Sequence, residues 1–197
     1  MALVLPELRT QRLAVRLARP GMQAAMSAFL KENFDGHLDR WSPPATPAFF
    51  EESFWRERLG AAVEEFLAGR AARFVLQEGS EASPIIGTCN YTNIVRGPFL
   101  ACYLGYQIGR HHEGRGLMAE ALRATNQYVF TTLGLHRIMA NHRPENTRSA
   151  QLLERLGFVR EGLAKDYLFI DGAWRDHVLT ALTNPDPESC DVEPAGR

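Results

Sequence analysis

Polar and apolar residues alternate through Arg12-Leu13-Ala14-Val15-Arg16-Leu17, the period-two pattern of a half-buried strand. Pro20 then opens a helical stretch running towards Leu30, with Met22, Met26, Phe29 and Leu30 at helix-like spacing. Proline suits a helix's first turn because the N–H it lacks has no partner there anyway. GHLDRWSPPATP packs three prolines into a few residues and predicts an exposed connection. A second helix is expected after Pro47, with Thr46 as its cap. Phe50, Phe54, Trp55, Leu59, Val63, Phe66 and Leu67 form its apolar face, and Gly69 is its stop.

From Arg73 the period shortens. RFVLQ, a turn at EGSEASP and the β-branched, aromatic IIGTCNYTNIV predict a meander of strands. After the Gly97-Pro98 turn, FLACYLGYQIG reads as a long strand whose interior Gly105 predicts a bulge or a close backbone approach. HHEGRG leads into a helix from about Leu117 to Leu133, closed by Gly134. HRIMANHR is a further strand. PENTRSAQLLERLGF is a short helix with Leu152, Leu153 and Leu156 on one face, ended by Gly157. Two last strands, around Gly162 to Ile170 and Trp174 to Leu182, flank the hairpin pair Asp171-Gly172. The order strand, two helices, three strands, helix, strand, helix, two strands predicts an α+β fold with a mixed sheet. The crossover from Tyr103 to Asn141 makes its two strands candidate parallel neighbours.

Composition narrows the class. The 197 residues carry 22 basic and 23 acidic side chains, a formal −1, and 45% are hydrophobic, which suits a soluble globular domain. No long Pro/Ser/Gly-rich break divides the chain, so one domain is expected over residues 1–184, with 185–197 a polar tail predicted to be disordered. No apolar run approaches the roughly 18 to 20 residues of a membrane span, and MALVLPELRTQRL turns polar too early for a signal peptide. A cytoplasmic protein without membrane contact is expected. Cys89, Cys102 and Cys190 lack C-x-x-C spacing and cannot all pair, which suits a reducing compartment and argues against a zinc site. The near-neutral charge argues against direct nucleic-acid binding, since such domains are distinctly basic.

The most informative stretch is Gly109-Arg110-His111-His112-Glu113-Gly114-Arg115-Gly116-Leu117-Met118, between a strand and a helix. Gly114 and Gly116 let backbone N–H groups turn inward at a helix N-terminus, where the dipole also favours an anion. The spacing predicts a pyrophosphate cradle. It is not a P-loop, which needs G-K-[ST], nor a dinucleotide fingerprint. A glycine-rich turn without a ligand is the alternative that this stretch alone leaves open.

Together with its surroundings the loop resembles the GCN5-related N-acetyltransferase (GNAT) superfamily, and within it the RimJ-type ribosomal-protein-alanine N-acetyltransferases. NIVRGPFLACYLGYQIG, EGRGLMAEAL, HRIMANHRPENTRSAQLLERLGF and AKDYLFIDGAWRDHVLTAL carry the likeness, in order, from Asn93 to Leu182. The resemblance implies an acyl-CoA N-acyltransferase fold: a mixed, mostly antiparallel twisted sheet with helices on both faces and a splayed parallel strand pair. It implies acetyl-CoA as co-substrate and no metal. The cofactor would lie where the strand ending at Gln107-Ile108-Gly109 parts from the strand ending at Asn141. Backbone groups of the first would pair with the pantetheine arm, and His111, His112, Glu113, Gly114, Arg115, Gly116, Leu117 and Met118 would cradle the pyrophosphate. His111 stands where many relatives have Gln or Arg, which removes one side-chain contact from a site built on backbone N–H groups. Asn141 and Asn146 are candidate partners for pantetheine amides, and strand-end or loop polar groups are their plainer reading.

Acetylating an amine requires a neutral nucleophile, a donor for the developing oxyanion and a proton for the leaving thiolate. An α-amine titrates near about 8 and a lysine near about 10.4, so an N-terminus asks less of a base. The tyrosine that many relatives place eight positions into the N-x-x-[AS] helix is Leu153 here. The resemblance makes Ser149 the candidate donor to the leaving sulfur, against a serine that simply satisfies helix amides. Relatives place a glutamate base on the strand after L-G-F. The matching position is Leu168, and Asp166, two residues earlier and expected on the same strand face, is the candidate base, against a solvated carboxylate.

His111-His112 has no third ligand for a metal, and Asp176-His177 has no G-x-S-x-G to complete a triad. Trp41 and Trp55 read as core, and the resemblance implies that the region of Trp41 could wall an acceptor pocket. The expected activity is transfer of acetyl to the N-terminal α-amine of a protein, ribosomal and beginning with Ala or Ser. Acetylation of a small-molecule amine, and a non-catalytic acyl-CoA-binding or ribosome-assembly protein, are the alternatives.

Overall fold

The computed structural model describes residues 5–190. Its eight-stranded sheet runs in the order β1-β2-β3-β4-β5-β6-β8-β7. The strands are β1 (Glu7–Arg9), β2 (Leu13–Leu17), β3 (Ala72–Glu78), β4 (Ile85–Val95), β5 (Ala101–Ile108), β6 (Arg137–Met139), β7 (Val159–Ile170) and β8 (Ala173–Thr183). The α-helices are α1 (Gln23–Asn33), α2 (Glu52–Leu67), α3 (Leu117–Thr131) and α4 (Thr147–Arg155). Neighbouring strands are antiparallel except β5 and β6, which are parallel, as the crossover predicted.

Strand alternation explains a core on each face. Leu13, Val15, Leu17, Phe74 and Leu76 point one way, onto Leu117, Ala121, Leu122 and Val129 of α3 and Leu153 of α4. Val75, between Phe74 and Leu76, points the other way and joins Met26, Phe29 and Leu30 of α1 with Leu59 of α2. Helices therefore cover both faces. Each such side chain contributes about 1.5–3 kcal/mol by leaving water. Arg16 is also buried, and Gln77 Oε1 at 2.6 and 3.0 Å and Glu81 at 2.5 Å satisfy it, so no lone charge is left inside.

Departures from the sequence reading have local causes. β1 adds an edge strand too short to show a period. Pro47–Phe50 form a separate 3-10 turn, because Glu51 is extended at φ −91° and ψ 144° and α2 begins only after it. Thr46 makes no side-chain cap bond. Past α1, Phe34–Leu38 form a kinked turn in which Gly36 takes φ 66°. Of the predicted tail, Pro187–Ser189 form a short turn and Cys190 packs against the core, while 191–197 lie outside the described residues. Among the described residues no helix is long and apolar enough to cross a membrane.

Candidate active site

β5 and β6 pair only over Ala101–Tyr103 and Arg137–Met139. Beyond Met139 the chain turns to β8 instead. The Ala140 N–H donates to Thr180 O at 3.0 Å, and His142 and Val178 exchange bonds of 3.2 and 2.8 Å. β5 continues to Ile108, held by β4 on its other side. The sheet thus opens into a wedge with Leu104–Ile108 as one wall. An extended ligand lying there can take the place of the missing strand.

Residues 109–116 close the wedge. A Cβ on Gly109 would lie 3.0 Å from Asn33 Oδ1, which accepts the Arg110 N–H at 2.9 Å, so α1 braces the loop closely. His37 Nε2 is 3.0 Å from Ile108 O and braces the strand end, a role that no sequence pattern marked. Arg110–His112 make a 3-10 turn with His111 exposed and His112 Nε2 3.8 Å from Glu78. Gly114 and Gly116 hold φ of 72° and 76°. An L side chain there costs about 1–2 kcal/mol, which accounts for both glycines. Gly116 caps α3, and the N–H groups of Leu117, Met118 and Ala119 have no acceptor within the helix. Leu117 and Met118 bury their side chains in the core, so what they offer an anion is backbone amide.

Three cations around this loop are paired with carboxylates, while Arg110 is exposed and its guanidinium bonds only the Asp35 carbonyl among the described residues, at 3.3 Å. Arg12 bonds Glu120 at 2.7 Å, Arg115 bonds Glu78 at 2.5 Å, and Arg148 of α4 pairs with Glu113. Burial works against the charge on Glu120, but hydrogen bonds from Thr10 at 2.6 Å and the Arg12 backbone at 2.8 Å, with the Arg12 guanidinium, outweigh it and hold its pKa low. The start of α3 adds amide dipoles, which suit a pyrophosphate.

The second wall is the start of α4. Asn146 Oδ1 accepts the Ser149 N–H at 3.1 Å, so this asparagine is the helix cap. Ser149 Oγ lies 2.6 Å from the Tyr106 hydroxyl, its side-chain partner. Tyr106 belongs to the part of β5 that β6 no longer covers, so this bond spans the wedge. Burial pushes the Tyr106 phenol up to about 12, with the Ser149 bond pulling the other way. Leu153, where relatives were expected to carry tyrosine, is core.

The structure does not bring every expected residue here. Asn141 Nδ2 donates to the Tyr167 hydroxyl at 3.2 Å and its Oδ1 accepts the Thr180 N–H at 3.3 Å, so its amide is tied to β7 and β8. Asp166 is exposed at φ 46°, where the β7–β8 register slips between Ala164 and Leu168, so the expected alternation with Leu168 is lost. Its N–H donates to Asp176 Oδ1 at 3.0 Å, beside the Lys165–Asp176 pair at 2.6 Å. Among the described residues no hydrogen bond links Asp166 to Ser149, Tyr106 or the loop. On the opposite sheet face a cavity of about 390 Å³ lies between α2 and the strands, lined by Phe54, Trp55, Arg58, Asn90 and Gln107. Trp41 stands under Arg143, whose guanidinium carbon is 5.4 Å from its ring centre.

Known proteins are similar to this chain in sequence and in architecture. A family model described as an acetyltransferase (GNAT) domain matches residues 12–159. The [ribosomal protein uS5]-alanine N-acetyltransferase of Escherichia coli K12 is 49% identical over 179 residues, 91% of each chain. The crystal structure of ribosomal-protein-S5-alanine acetyltransferase from Vibrio fischeri has a TM-score of 0.87 at 37% identity, covering 96% of this chain and all of that one (100%). Mycobacterium smegmatis RimJ, solved in complex with CoA-disulfide, has a TM-score of 0.81 at 31% identity, over 94% of this chain and 90% of its own.

Proposed function

The chain belongs to the acetyltransferase (GNAT) family, and from that premise we propose that it acetylates the N-terminal α-amine of a ribosomal protein beginning with Ala or Ser, using acetyl-CoA. The observation that carries the proposal is the parting of β5 from β6 beside the amide-rich start of α3. In this reading backbone groups of Leu104–Ile108 receive the pantetheine amides, and the amides from Gly114 to Met118 receive the pyrophosphate. The acceptor class rests on the names of the relatives, two of which are alanine acetyltransferases of the same ribosomal protein. A cytoplasmic location, one catalytic domain over 1–184 and no direct contact with nucleic acid complete the reading.

Ser149 Oγ is the group we assign to the departing sulfur, with Asn146 fixing the helix turn that carries it. Asp166 lies on the exposed bulge of β7 with its N–H bonded to Asp176, so it is assigned no role as base. An α-amine needs none as strong as lysine would, because a fraction of it is neutral at pH 7.

The test is release of CoA thiol with a panel of peptides. A peptide with free N-terminal Ala or Ser is expected to be turned over well above the same peptide blocked at its N-terminus and carrying an internal lysine. Equal rates on both, or turnover only of small amines such as polyamines, would reject the proposed acceptor.

A further inference from the structure

We propose that Tyr106 is the positioning residue for the leaving-group step: it donates its phenolic proton to Ser149 Oγ, which turns the serine's own proton towards the thioester sulfur. The inference rests on the acetyltransferase reading above and deepens it by naming the residue that makes Ser149 competent.

The geometry has two parts. The 2.6 Å contact joins strand β5 to helix α4 across the wedge, so the hydroxyl pair sits where the two strands have already parted. Asn146 independently pins the Ser149 backbone at 3.1 Å, so α4 presents Oγ at a fixed height above β5.

A serine hydroxyl has one proton and two lone pairs. Were that proton spent on Tyr106, none would remain for sulfur. Phenols are better donors than aliphatic hydroxyls, and burial of Tyr106 keeps its proton in place through the neutral range. The phenol therefore donates and the serine accepts. A hydroxyl that accepts one hydrogen bond donates a stronger one, by about 10–30%. The effect appears only as charge develops on sulfur, so it belongs to the transition state rather than to cofactor binding.

The step balances without any further reactant. The amine nitrogen bonds to the acetyl carbon, the C–S bond breaks, and its electron pair leaves on sulfur against the Ser149 O–H. The proton lost by nitrogen goes to water, and the released thiolate takes one from water. Tyr106 and Ser149 end the cycle as they began it.

The assignment also explains how the chain works with Leu153 at the helix position where relatives carry tyrosine. Leu153 is 1% exposed and packs in the core, so no phenol can reach the wedge from that helix face. Here a phenol arrives from the strand instead, one step behind the serine.

The experiment measures kcat, the KM for acetyl-CoA and the melting temperature for wild type, Tyr106→Phe, Ser149→Ala and the double variant. Tyr106→Phe keeps the ring and removes only the hydroxyl. It is expected to lower kcat about tenfold, the worth of one hydrogen bond, with KM changed less than about twofold. Ser149→Ala is expected to lose about 10²-fold, the worth of one donor aimed at developing charge. The double variant should match Ser149→Ala alone, because Tyr106 has nothing to act on once Oγ is gone. Losses that multiply to about 10³-fold would overturn the proposal, as would an unchanged kcat in Tyr106→Phe or a kcat loss that only tracks a fallen melting temperature. A wild-type protein that releases no thiol with any acceptor would reject the acetyltransferase reading itself, a separate outcome.

Discussion

At Gly114 the backbone holds φ 72°, and no heavy atom lies within 4 Å of where a Cβ would stand. The cost of Gly114→Ala to the fold is thus conformational only, about 1–2 kcal/mol, or a few degrees in melting temperature for a chain of this size. Gly21, with φ 97° and equally open surroundings, lies in the turn before α1. The pair makes a controlled comparison. Gly114→Ala is expected to raise the acetyl-CoA Kd at least about tenfold, because its methyl enters the space proposed for the pyrophosphate, whereas Gly21→Ala should lose similar stability and keep wild-type affinity. Calorimetric titration of both folded variants decides it, and equal affinities would remove the phosphate role from this loop. The left-handed turns of the loop were legible because Gly114 and Gly116 stand one residue apart before a helix. Tyr106 was not, because its role comes from meeting a residue 43 positions away, and a tyrosine in an aromatic strand carries no mark of that meeting.

One short polar knot locks α3 against the sheet. Glu120, in the helix's first turn, takes bonds from Thr10, the Arg12 N–H and the Arg12 guanidinium, and Arg12 also donates to Arg115 O at 2.9 Å. The knot joins the β1–β2 turn to the helix whose first amides are proposed to receive the pyrophosphate. Because these bonds lower the Glu120 pKa below its ordinary 4.5, the unfolded chain binds that proton more readily than the folded one. The stabilisation is therefore full above 4.5 and disappears as pH falls below it. Glu120→Gln should melt below wild type at pH 7, and the gap should narrow progressively as pH falls below 4.5. A gap of constant size would show that packing, not charge, holds the helix. Elements with local signals were read well from sequence. The hairpin at Asp171-Gly172 appears with φ of 50° and 70°, since two adjacent residues determine a turn. The register slip at Asp166 was not legible, because the Asp176 carboxylate on the next strand captures both Lys165 and the Asp166 N–H, a meeting that no local pattern marks.

Across the whole molecule the sheet order was readable where the crossover rule applied, and that order makes the wedge. β6 is three residues long between two longer neighbours, so β5 must lose its partner early. The same sheet fixes how stability responds to pH. On β8, His177 is 4% exposed with Nδ1 3.0 Å from Arg175 O. Burial, helped by Arg143 and His142 and opposed by the Arg175 carbonyl and Asp176, holds its pKa below the ordinary 6.5. The unfolded chain then takes up this proton first, and stability declines as pH falls through 6.5. Glu120 and Asp176, both lowered, add the same sign of loss at more acid pH. At the alkaline end burial pushes Cys102 and Tyr106 up to about 12 and raises Cys89 and Tyr91. These groups ionise more easily when unfolded, so stability falls again above their ordinary values of 9.0 and 10.0. Melting temperature is expected to form a plateau between about pH 7 and 9 and to decline on both sides. His177→Asn retains an N–H that can serve the Arg175 carbonyl but has no proton to gain, so it should flatten the decline between about pH 7 and 5.5 and leave the alkaline limb unchanged. Thermal melts of both proteins at intervals from pH 4 to 11 test this directly. A wild-type melting temperature that rises on going from pH 7 to 5.5, or an unaltered acid slope in the variant, would remove His177 as the first group to fail.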